Sequence, residues 1–181
     1  VEEPPEGPNI NIMLDKYRKL VWEDETNGVV VVDSGIHLNV DPHDPTGTSV
    51  KENGLLYQIF QKGFGFSDLG GITQQTVSGF LMTGSAGGSM MYDLAENILG
   101  FKIVDGTGDC KWVNKDDEIF PAVSLSLGLL GIITKVRFKF IKTYNIYGQE
   151  ITTPTSFKEC PIDLFGPGRE GKPSMRTFLE K

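Results

Sequence analysis

The residues of this sequence best suited to chemistry form a glycine-rich segment from Leu69 to Ser89. The segment reads LGGITQQTVSGFLMTGSAGGS, so glycines and short hydroxylated residues flank a short apolar stretch. Glycine has no side chain to shield the backbone, and its N–H groups therefore stay accessible to a phosphate or a flat ring. The pattern predicts a cradle for an anion or a cofactor, built around a short helix.

A structural alternative exists for the same glycines. Gly70-Gly71 and Gly87-Gly88 could serve only as turns, because isolated glycine motifs occur often by chance. The segment also lacks the two common nucleotide-binding patterns, Gly-x-Gly-x-x-Gly between a strand and a helix and Gly-x-x-x-x-Gly-Lys-Ser/Thr. If the segment binds a ligand, it must do so through a different type of backbone binding site.

Two acidic clusters are weaker candidates for a functional site. His37 and His43, with Asp41 and Asp44 nearby, offer ligand types that suit zinc or iron. A solvated turn explains this Pro- and Asp-rich loop better. The acids of residues 116–118 could perform acid–base chemistry, but acids are expected in the first turn of a helix from its dipole alone. We predict no metal site and assign no catalytic residue.

The charge balance of the chain excludes some classes of partner. Among 181 residues, 17 are Lys or Arg and 24 are Asp or Glu, which gives a formal charge of −7. Affinity for nucleic acid comes from clustered basic residues, and Lys135, Arg137, Lys139 and Lys142 alternate merely as one face of a strand would. No apolar run reaches the roughly 18 to 20 residues of a spanning helix. We therefore expect no nucleic-acid partner and no transmembrane segment in this chain.

The two cysteines and the chain ends carry further information. Cys110 and Cys160 lie far apart without a partner at metal-ligand spacing, so the sequence supports neither a disulfide framework nor a zinc site and favours a reducing compartment. The chain starts at Val1, without methionine, and ends inside a helix-like pattern over Ser174–Lys181. These ends indicate a piece of a longer protein.

The local patterns predict an α+β order without internal repeats. Val29–Val32 follows the turn Asn27-Gly28 and pairs with Leu20–Glu23 in a hairpin, because Asn-Gly supplies the positive φ angles of a tight turn. A loop is expected over residues 37–48. A second hairpin is expected, in which Asn97–Asp105 and Lys111–Val113 pair across a turn over residues 105–108. Alternation predicts further strands at Ile10–Leu14 and Gly131–Ile141. Helical spacing predicts helices at Ser49–Lys62, with a Ser49/Glu52 capping box, and at Glu118–Leu130.

Three motifs follow one another in an order typical of one flavoprotein family. They are the glycine-rich segment from Gly70, the sequence IVDGTG at 103–108, and VSLSLGLLGIIT at 123–134. Together they resemble the FAD-binding domain of the vanillyl-alcohol-oxidase-like (PCMH-type) flavoproteins, nearest to the sugar-lactone oxidases and alditol oxidases. The resemblance implies a mixed or antiparallel sheet flanked by helices, with FAD as cofactor.

The resemblance also implies which residues hold the cofactor. In the family, the positions matching the glycine-rich segment lie along the flavin and its diphosphate, and those matching the last motif place main-chain atoms beside the adenine. A structural role remains open for each of them, such as close helix packing at Gly79. The implied cofactor-binding residues are Gly71, Thr76, Gly79, Thr83, Gly84, Ser85, Ala86, Gly131 and Ile132.

Two departures from the family pattern bear on function. Many relatives have histidine where this chain has Ala86, so a role of that imidazole is absent here. The family's diphosphate loop, of the Arg-Gly-x-Gly-His-Ser kind, precedes the strand matched by Ile10–Leu14, whereas only Val1–Asn9 precede it in this chain. We expect residues 1–141 to be the later part of an FAD-binding domain, and residues 142–181 to connect it to a substrate domain.

Two functions are compatible with these observations. The resemblance implies part of an FAD-dependent oxidoreductase that oxidises a CH–OH group of a sugar lactone or polyol and passes electrons to oxygen or another acceptor. The alternative is a structural subunit of a larger assembly, derived from a flavin domain and with an incomplete cofactor site. Because the diphosphate loop is missing, we expect the isolated 181 residues to retain FAD weakly or not at all.

Overall fold

The computed structural model describes residues 12–150, 152–156 and 158–180. The described chain divides into a larger unit, up to Gly87 and from Asp93 to Thr143, and a smaller unit of Gly88–Tyr92 and the residues from Tyr144 onward. No helix among the described residues is both long and apolar enough to cross a membrane.

A five-stranded antiparallel sheet forms the centre of the larger unit. The strands are β1 (Leu20–Asp24), β2 (Val29–Asp33), β4 (Ile98–Val104), β5 (Cys110–Asn114) and β6 (Ile132–Lys139), and their order across the sheet is β1-β2-β6-β4-β5. The predicted first hairpin is confirmed, since β1 pairs with β2 and Gly28 has a φ of 74°. The predicted second hairpin is confirmed as well, because β4 pairs with β5.

One face of the sheet carries the hydrophobic core. Val30, Phe101, Val136 and Phe138 are almost fully buried, whereas most of their neighbours along the strands are partly exposed. Phe66 contacts Phe138 edge-on, with ring centroids 5.6 Å apart. Helices pack on this face because their own apolar residues, in α1 (Leu55–Phe60), α2 (Val77–Met82) and α3 (Phe120–Ser124), join the same cluster.

Both long helices of the sequence prediction are wrong in extent. The one expected over Ser49–Lys62 is a 3₁₀ turn at Lys51–Asn53 followed by α1, because Gly54 is extended and the Leu55 N–H donates to the carbonyl of His37 instead. The predicted capping box is absent there, since the Ser49 hydroxyl accepts the N–H of Asp41 at 2.8 Å.

The predicted helix over Glu118–Leu130 is likewise shorter, because it ends at Ser124. Leu127 has a φ of 51° and Gly128 a φ of 80°, and a right-handed helix cannot continue through that conformation. The residues beyond the helix are largely solvent-exposed, with Leu129 at 85%. The segment is therefore a short helix followed by an irregular turn rather than a buried helix.

Two predicted strands also differ from the structure. The strand expected over Gly131–Ile141 is divided into β6 and β7 (Ile141–Lys142), and β7 pairs with β3 (Phe64–Gly65) in a separate two-stranded sheet. Of the strand expected over Ile10–Leu14, residues 10 and 11 lie outside the described residues, and residues 12–14 form no strand.

The loop predicted over residues 37–48 is confirmed as irregular, and Asp44 organises it. The Asp44 carboxylate accepts the N–H groups of Thr46, Thr48 and Ser49 at 2.8–3.1 Å. Burial raises the pKa of this carboxyl, but these bonds and the Thr46 hydroxyl outweigh it and hold the pKa well below its usual range. Among the described residues, no group of three His, Cys, Asp or Glu side chains could hold a metal ion.

The turn between β4 and β5 makes the free energy of unfolding depend on pH in the acidic range. The hydroxyl and N–H of Thr107, followed by the Lys111 ammonium, lower the pKa of Asp105 to about 2. This folded-state pKa lies below the unfolded value, so the stabilisation is complete above about pH 4 and is lost as the pH falls towards about 2. Asp105→Asn should flatten this part of the stability profile in urea unfolding followed over that range. If the free energy of unfolding of the variant fell with decreasing pH as steeply as that of the unmodified protein, Asp105 would not be the source of this pH dependence.

The smaller unit contains short elements only. The strands β8 (Gly168–Arg169) and β9 (Lys172–Pro173) pair with each other, and α4 (Met175–Leu179) follows them. The helix predicted at Ser174–Lys181 is confirmed within the described residues, with the Ser174 hydroxyl accepting the Thr177 N–H at 3.1 Å as an N-cap. Lys181 lies outside the described residues.

Candidate functional site

The short helix predicted within the glycine-rich segment is α2. Thr76 is its N-cap, and the Thr76 hydroxyl accepts the N–H of Gly79 at 3.3 Å. The N–H of Val77 donates to the carbonyl of Ile36 at 2.8 Å, which ties the helix start to the chain after β2. The apolar residues of α2 are buried in the core. The helix is therefore a fixed support for the residues on either side of it.

The residues before α2 present unpaired backbone donors. The carbonyls of Thr73 and Gln75 accept the N–H groups of Asn39 and Leu38 at 2.8 and 2.9 Å, which holds this stretch in an extended conformation. Within the part of the chain that the structure describes, the N–H groups from Gly71 to Gln75 have no acceptor. Gly71 is exposed, and an added Cβ would meet nothing within 4 Å. This backbone is therefore open to a ligand.

The residues after α2 form a compact turn. Gly84 has a φ of 66°, which favours glycine, and the N–H of Ser85 donates to the carbonyl of Phe80 at 3.1 Å. The Thr83 hydroxyl donates to the carbonyl of Gly79 at 2.9 Å and lies 3.2 Å from the Ser85 hydroxyl. The turn thus places two hydroxyls and an exposed backbone side by side.

Asp68 holds the end of this turn. The N–H of Gly87 donates to the Asp68 carboxylate at 2.8 Å. A Cβ at position 87 would lie 2.1 Å from Asp68 Oδ1 and 2.7 Å from the carbonyl oxygen of Leu69, so only glycine fits there. Asp68, just before the glycine-rich segment, therefore helps to set the position of the turn after α2.

A buried asparagine in turn anchors the chain that carries Asp68. Asn97 is 2% exposed, and its Oδ1 accepts the hydroxyl and the N–H of Ser67 at 2.8 and 3.1 Å. Its Nδ2 donates to the carbonyl of Lys139 at 3.0 Å. One side chain thus connects the end of β6 with the residue next to Asp68. No pattern in the sequence indicated this role.

A cleft of about 220 Å³ lies beside the turn after α2. Gly84, Ser85 and Ala86 line one part of it, and Ser124 and Leu125 from the end of α3 line another. The remaining lining residues are Leu81, Asp93, Leu94, Ala95 and Ile98. The cleft is mainly apolar, with the hydroxyls of two serines at its walls, and such a composition suits a flat organic group.

Thr76 lines a second cleft, of about 330 Å³, together with Ser78, His37 and Arg18. The Arg18 guanidinium donates to the hydroxyl of Thr48 and lies 3.6 Å from the Asp44 carboxylate. Its Nε is buried and has no acceptor within the described chain. Sequence reasoning missed Arg18, because nothing in its local pattern marks it.

The structure brings together only some of the nine implied cofactor-binding residues. Gly84, Ser85 and Ala86 share one cleft, Thr83 adjoins them through its hydroxyl, and Thr76 with Gly79 belongs to the start of α2. Gly131 and Ile132 lie instead at the start of β6, opposite Val104. Gly131 has a φ of 134°, and a Cβ there would lie 2.4 Å from the Val104 carbonyl oxygen.

Comparisons with known proteins identify the family of this chain. It is 32% identical over 149 residues to the D-arabinono-1,4-lactone oxidase of Saccharomyces cerevisiae, which covers 77% of this chain and 25% of that protein. It is 35% identical over 103 residues to the protein of the same name from Kluyveromyces lactis, covering 52% and 20%. The chain belongs to the vanillyl-alcohol-oxidase-like flavoprotein family. No protein-family model matches it.

Solved structures support the fold of this flavoprotein chain. One of alkyldihydroxyacetonephosphate synthase superposes with a TM-score of 0.60 at 22% identity and covers 77% of this chain and 26% of the other. This likeness concerns the fold alone, and the predicted α+β fold of the PCMH type is confirmed. The chain spans about a quarter of the length of the curated relatives it matches.

Proposed function

We propose that this chain is part of an FAD-dependent oxidoreductase that oxidises a CH–OH group of a sugar lactone or polyol. The observation that carries the proposal is the row of unpaired N–H groups from Gly71 to Gln75 together with the cleft lined by residues 84–86. The Ser85 hydroxyl lies 3.4 Å from Gln75 Oε1, which brings the end of the row to the wall of the cleft. The similarity to D-arabinono-1,4-lactone oxidases supports the substrate class.

The residues present fit this cofactor. A diphosphate is bound best by several hydrogen-bond donors that already point towards it before binding. Exposed backbone N–H groups of glycine-rich segments are donors of this kind. The short hydroxyls of Thr76 and Ser85 can add donors without filling the space that a ring system needs, whereas the Thr83 hydroxyl already donates to the carbonyl of Gly79 and can only accept. The mainly apolar cleft wall that includes Leu125 suits the flat face of a flavin.

The proposed roles of these residues are binding and orientation. FAD, when bound, supplies the acceptor for the hydride that leaves the carbinol carbon. Gly71 would hold the cofactor through its unpaired N–H, and Thr76, Thr83 and Ser85 through their hydroxyl oxygens. Gly79, Gly84 and Ala86 would let the cofactor approach the backbone closely, and Gly131-Ile132 would border its adenine. Because α2 is anchored in the core, these groups stay in place without the cofactor, which lowers the entropic cost of binding. We assign no residue of this chain to the chemical step.

We further propose that the smaller unit leads to a substrate domain of the full-length protein. The division between the units after Thr143 supports this proposal. The partner of such an enzyme is a small sugar-like molecule.

The absorption spectrum of the purified full-length protein tests the proposal. We expect the two visible bands of oxidised flavin, their loss on addition of a sugar lactone under anaerobic conditions, and release of flavin on denaturation. A colourless protein that takes up no added FAD would contradict the proposal and favour a structural subunit. For the isolated 181 residues, calorimetry should show FAD binding weaker than micromolar, because they contain no Arg-Gly-x-Gly-His-Ser motif, whose donors would each contribute about 1.5 to 3 kcal/mol.

A further inference from the structure

A cleft in the smaller unit contains a buried carboxylate, one oxygen of which has no hydrogen bond within the described residues and only a 3.7 Å ion pair. The cleft measures about 540 Å³ and is lined by Thr155, residues 162–167 and Arg169. Asp163 is 4% exposed, and its backbone N–H donates to the carbonyl of Pro173 at 2.8 Å, which holds it beside β9. Its Oδ2 atom has no hydrogen-bond partner among the described residues. A buried carboxylate oxygen left in this state is costly, so a ligand that donates to it would be favoured.

The surroundings of Asp163 define what such a ligand must offer. Arg169 Nε lies 3.7 Å from Asp163 Oδ2, close enough for an ion pair, and the Arg169 side chain is 63% exposed. Gly166 covers the other side of the carboxylate, because an added Cβ there would lie 2.3 Å from Oδ2. The approach to the carboxylate is therefore limited to the side of the cleft.

An aromatic side chain lies two residues further along the same loop. Phe165 is 95% exposed, although burial of a phenyl ring is normally favourable, and it lines the cleft together with Asp163. An exposed ring beside a polar pair can pack against the C–H face of a small polar molecule. The loop thus presents an apolar surface next to a hydrogen-bond acceptor.

The charges favour a neutral ligand over an ionic one. The Asp163 carboxylate repels an anion and the Arg169 guanidinium repels a cation, whereas a hydroxyl can donate to the first and accept from the second. A molecule with neighbouring hydroxyls and an apolar ring face matches all three groups. We propose that Asp163, Arg169 and Phe165 form a binding subsite for a neutral polyhydroxylated molecule of the sugar-lactone or polyol class. This inference rests on the proposed function for its substrate class.

Calorimetry of the full-length protein tests the subsite, with the flavin reduced and oxygen excluded so that the probe is not consumed. The probe is D-arabinono-1,4-lactone, and γ-butyrolactone serves as a matched compound without hydroxyls. Asp163→Asn should weaken lactone binding by about 10- to 100-fold, because a bond to a charged acceptor is lost. Phe165→Ala should weaken it by about tenfold. The fully exposed Tyr147 provides a control, since Tyr147→Ala should leave the affinity unchanged.

The outcomes separate this inference from the proposed function. Unchanged lactone affinity in Phe165→Ala, a change at an exposed position that leaves folding intact, would overturn the subsite even if Asp163→Asn fails to fold. Equal binding of γ-butyrolactone and the lactone, or no lactone binding by the unmodified protein, would overturn it as well. Failure of the proposed function appears separately, as absence of bound flavin in the spectrum of the unmodified protein.

Discussion

Gly87→Val in the full-length protein should reduce flavin retention by at least tenfold. The new Cβ would lie 2.1 Å from Asp68 Oδ1 and 2.7 Å from the carbonyl oxygen of Leu69, and the second of these atoms belongs to the backbone and cannot rotate away. Relief of the clash requires a shift of the turn that carries Gly84, Ser85 and Ala86. A displacement of about 1 Å in a binding constellation is enough to lose most of its affinity. Flavin content per protein and the dissociation constant of added FAD measure the effect.

A matched substitution separates the local clash from a general effect of valine. Gly106 lies in the turn after β4, and an added Cβ there would meet nothing within 4 Å. Gly106→Val should therefore leave flavin content unchanged. Equal flavin retention in Gly87→Val and the unmodified protein would show that the turn does not contribute to the cofactor site.

Asn97→Ala should lower the free energy of unfolding by about 3 kcal/mol. The change removes Asn97 Oδ1, which accepts the N–H and the hydroxyl of Ser67, and Nδ2, which donates to the carbonyl of Lys139. The Ser67 hydroxyl also lies 3.4 Å from the carbonyl of Asp93 and can still donate to it, so the Ser67 N–H and the Lys139 carbonyl account for most of the loss, at about 1 to 3 kcal/mol each. Chemical denaturation followed by circular dichroism measures the difference. Flavin affinity should fall as well, because Asp68 follows Ser67 directly.

An exposed asparagine gives the comparison for this variant. The side chain of Asn39 takes part in no hydrogen bond within the described residues, so Asn39→Ala should change the free energy of unfolding by less than about 0.5 kcal/mol. A similar small loss in Asn97→Ala would mean that water replaces the missing amide and that the connection to Asp68 is unimportant.

The patterns that predicted correctly are those in which short-range effects decide the outcome. Asn27-Gly28 produces a hairpin because the positive φ it needs is a property of the turn residues themselves. The short helix α2 and the strands β4 and β6 are likewise predicted from residues that are close together in the sequence. The acidic Asp105 turn is also local, since its carboxylate is bound by Thr107 and Lys111.

The predictions that failed depended on distant parts of the chain. Residues 49–62 have helical spacing, but the N–H of Leu55 finds its acceptor at His37, and this bond interrupts the helix. The apolar residues after Ser124 satisfy a helical pattern too, yet they are exposed around Leu127, whose backbone is left-handed. Hydrophobic periodicity shows which residues are apolar, but it does not show whether another part of the fold packs against them.

The sequence by itself determined the fold class, the two hairpins and the glycine-rich segment as the place where backbone N–H groups are accessible. These features arise from side-chain size and backbone freedom at single positions, which any reader of the chain can count. Only the tertiary structure decided which donors of that segment remain unpaired, that Thr76 and Gly84 line different clefts, and that Asn97 and Asp68 support the turn between them. Hydrogen-bond partners separated by 19 to 42 residues are selected by how the whole core packs, and no local pattern contains that information.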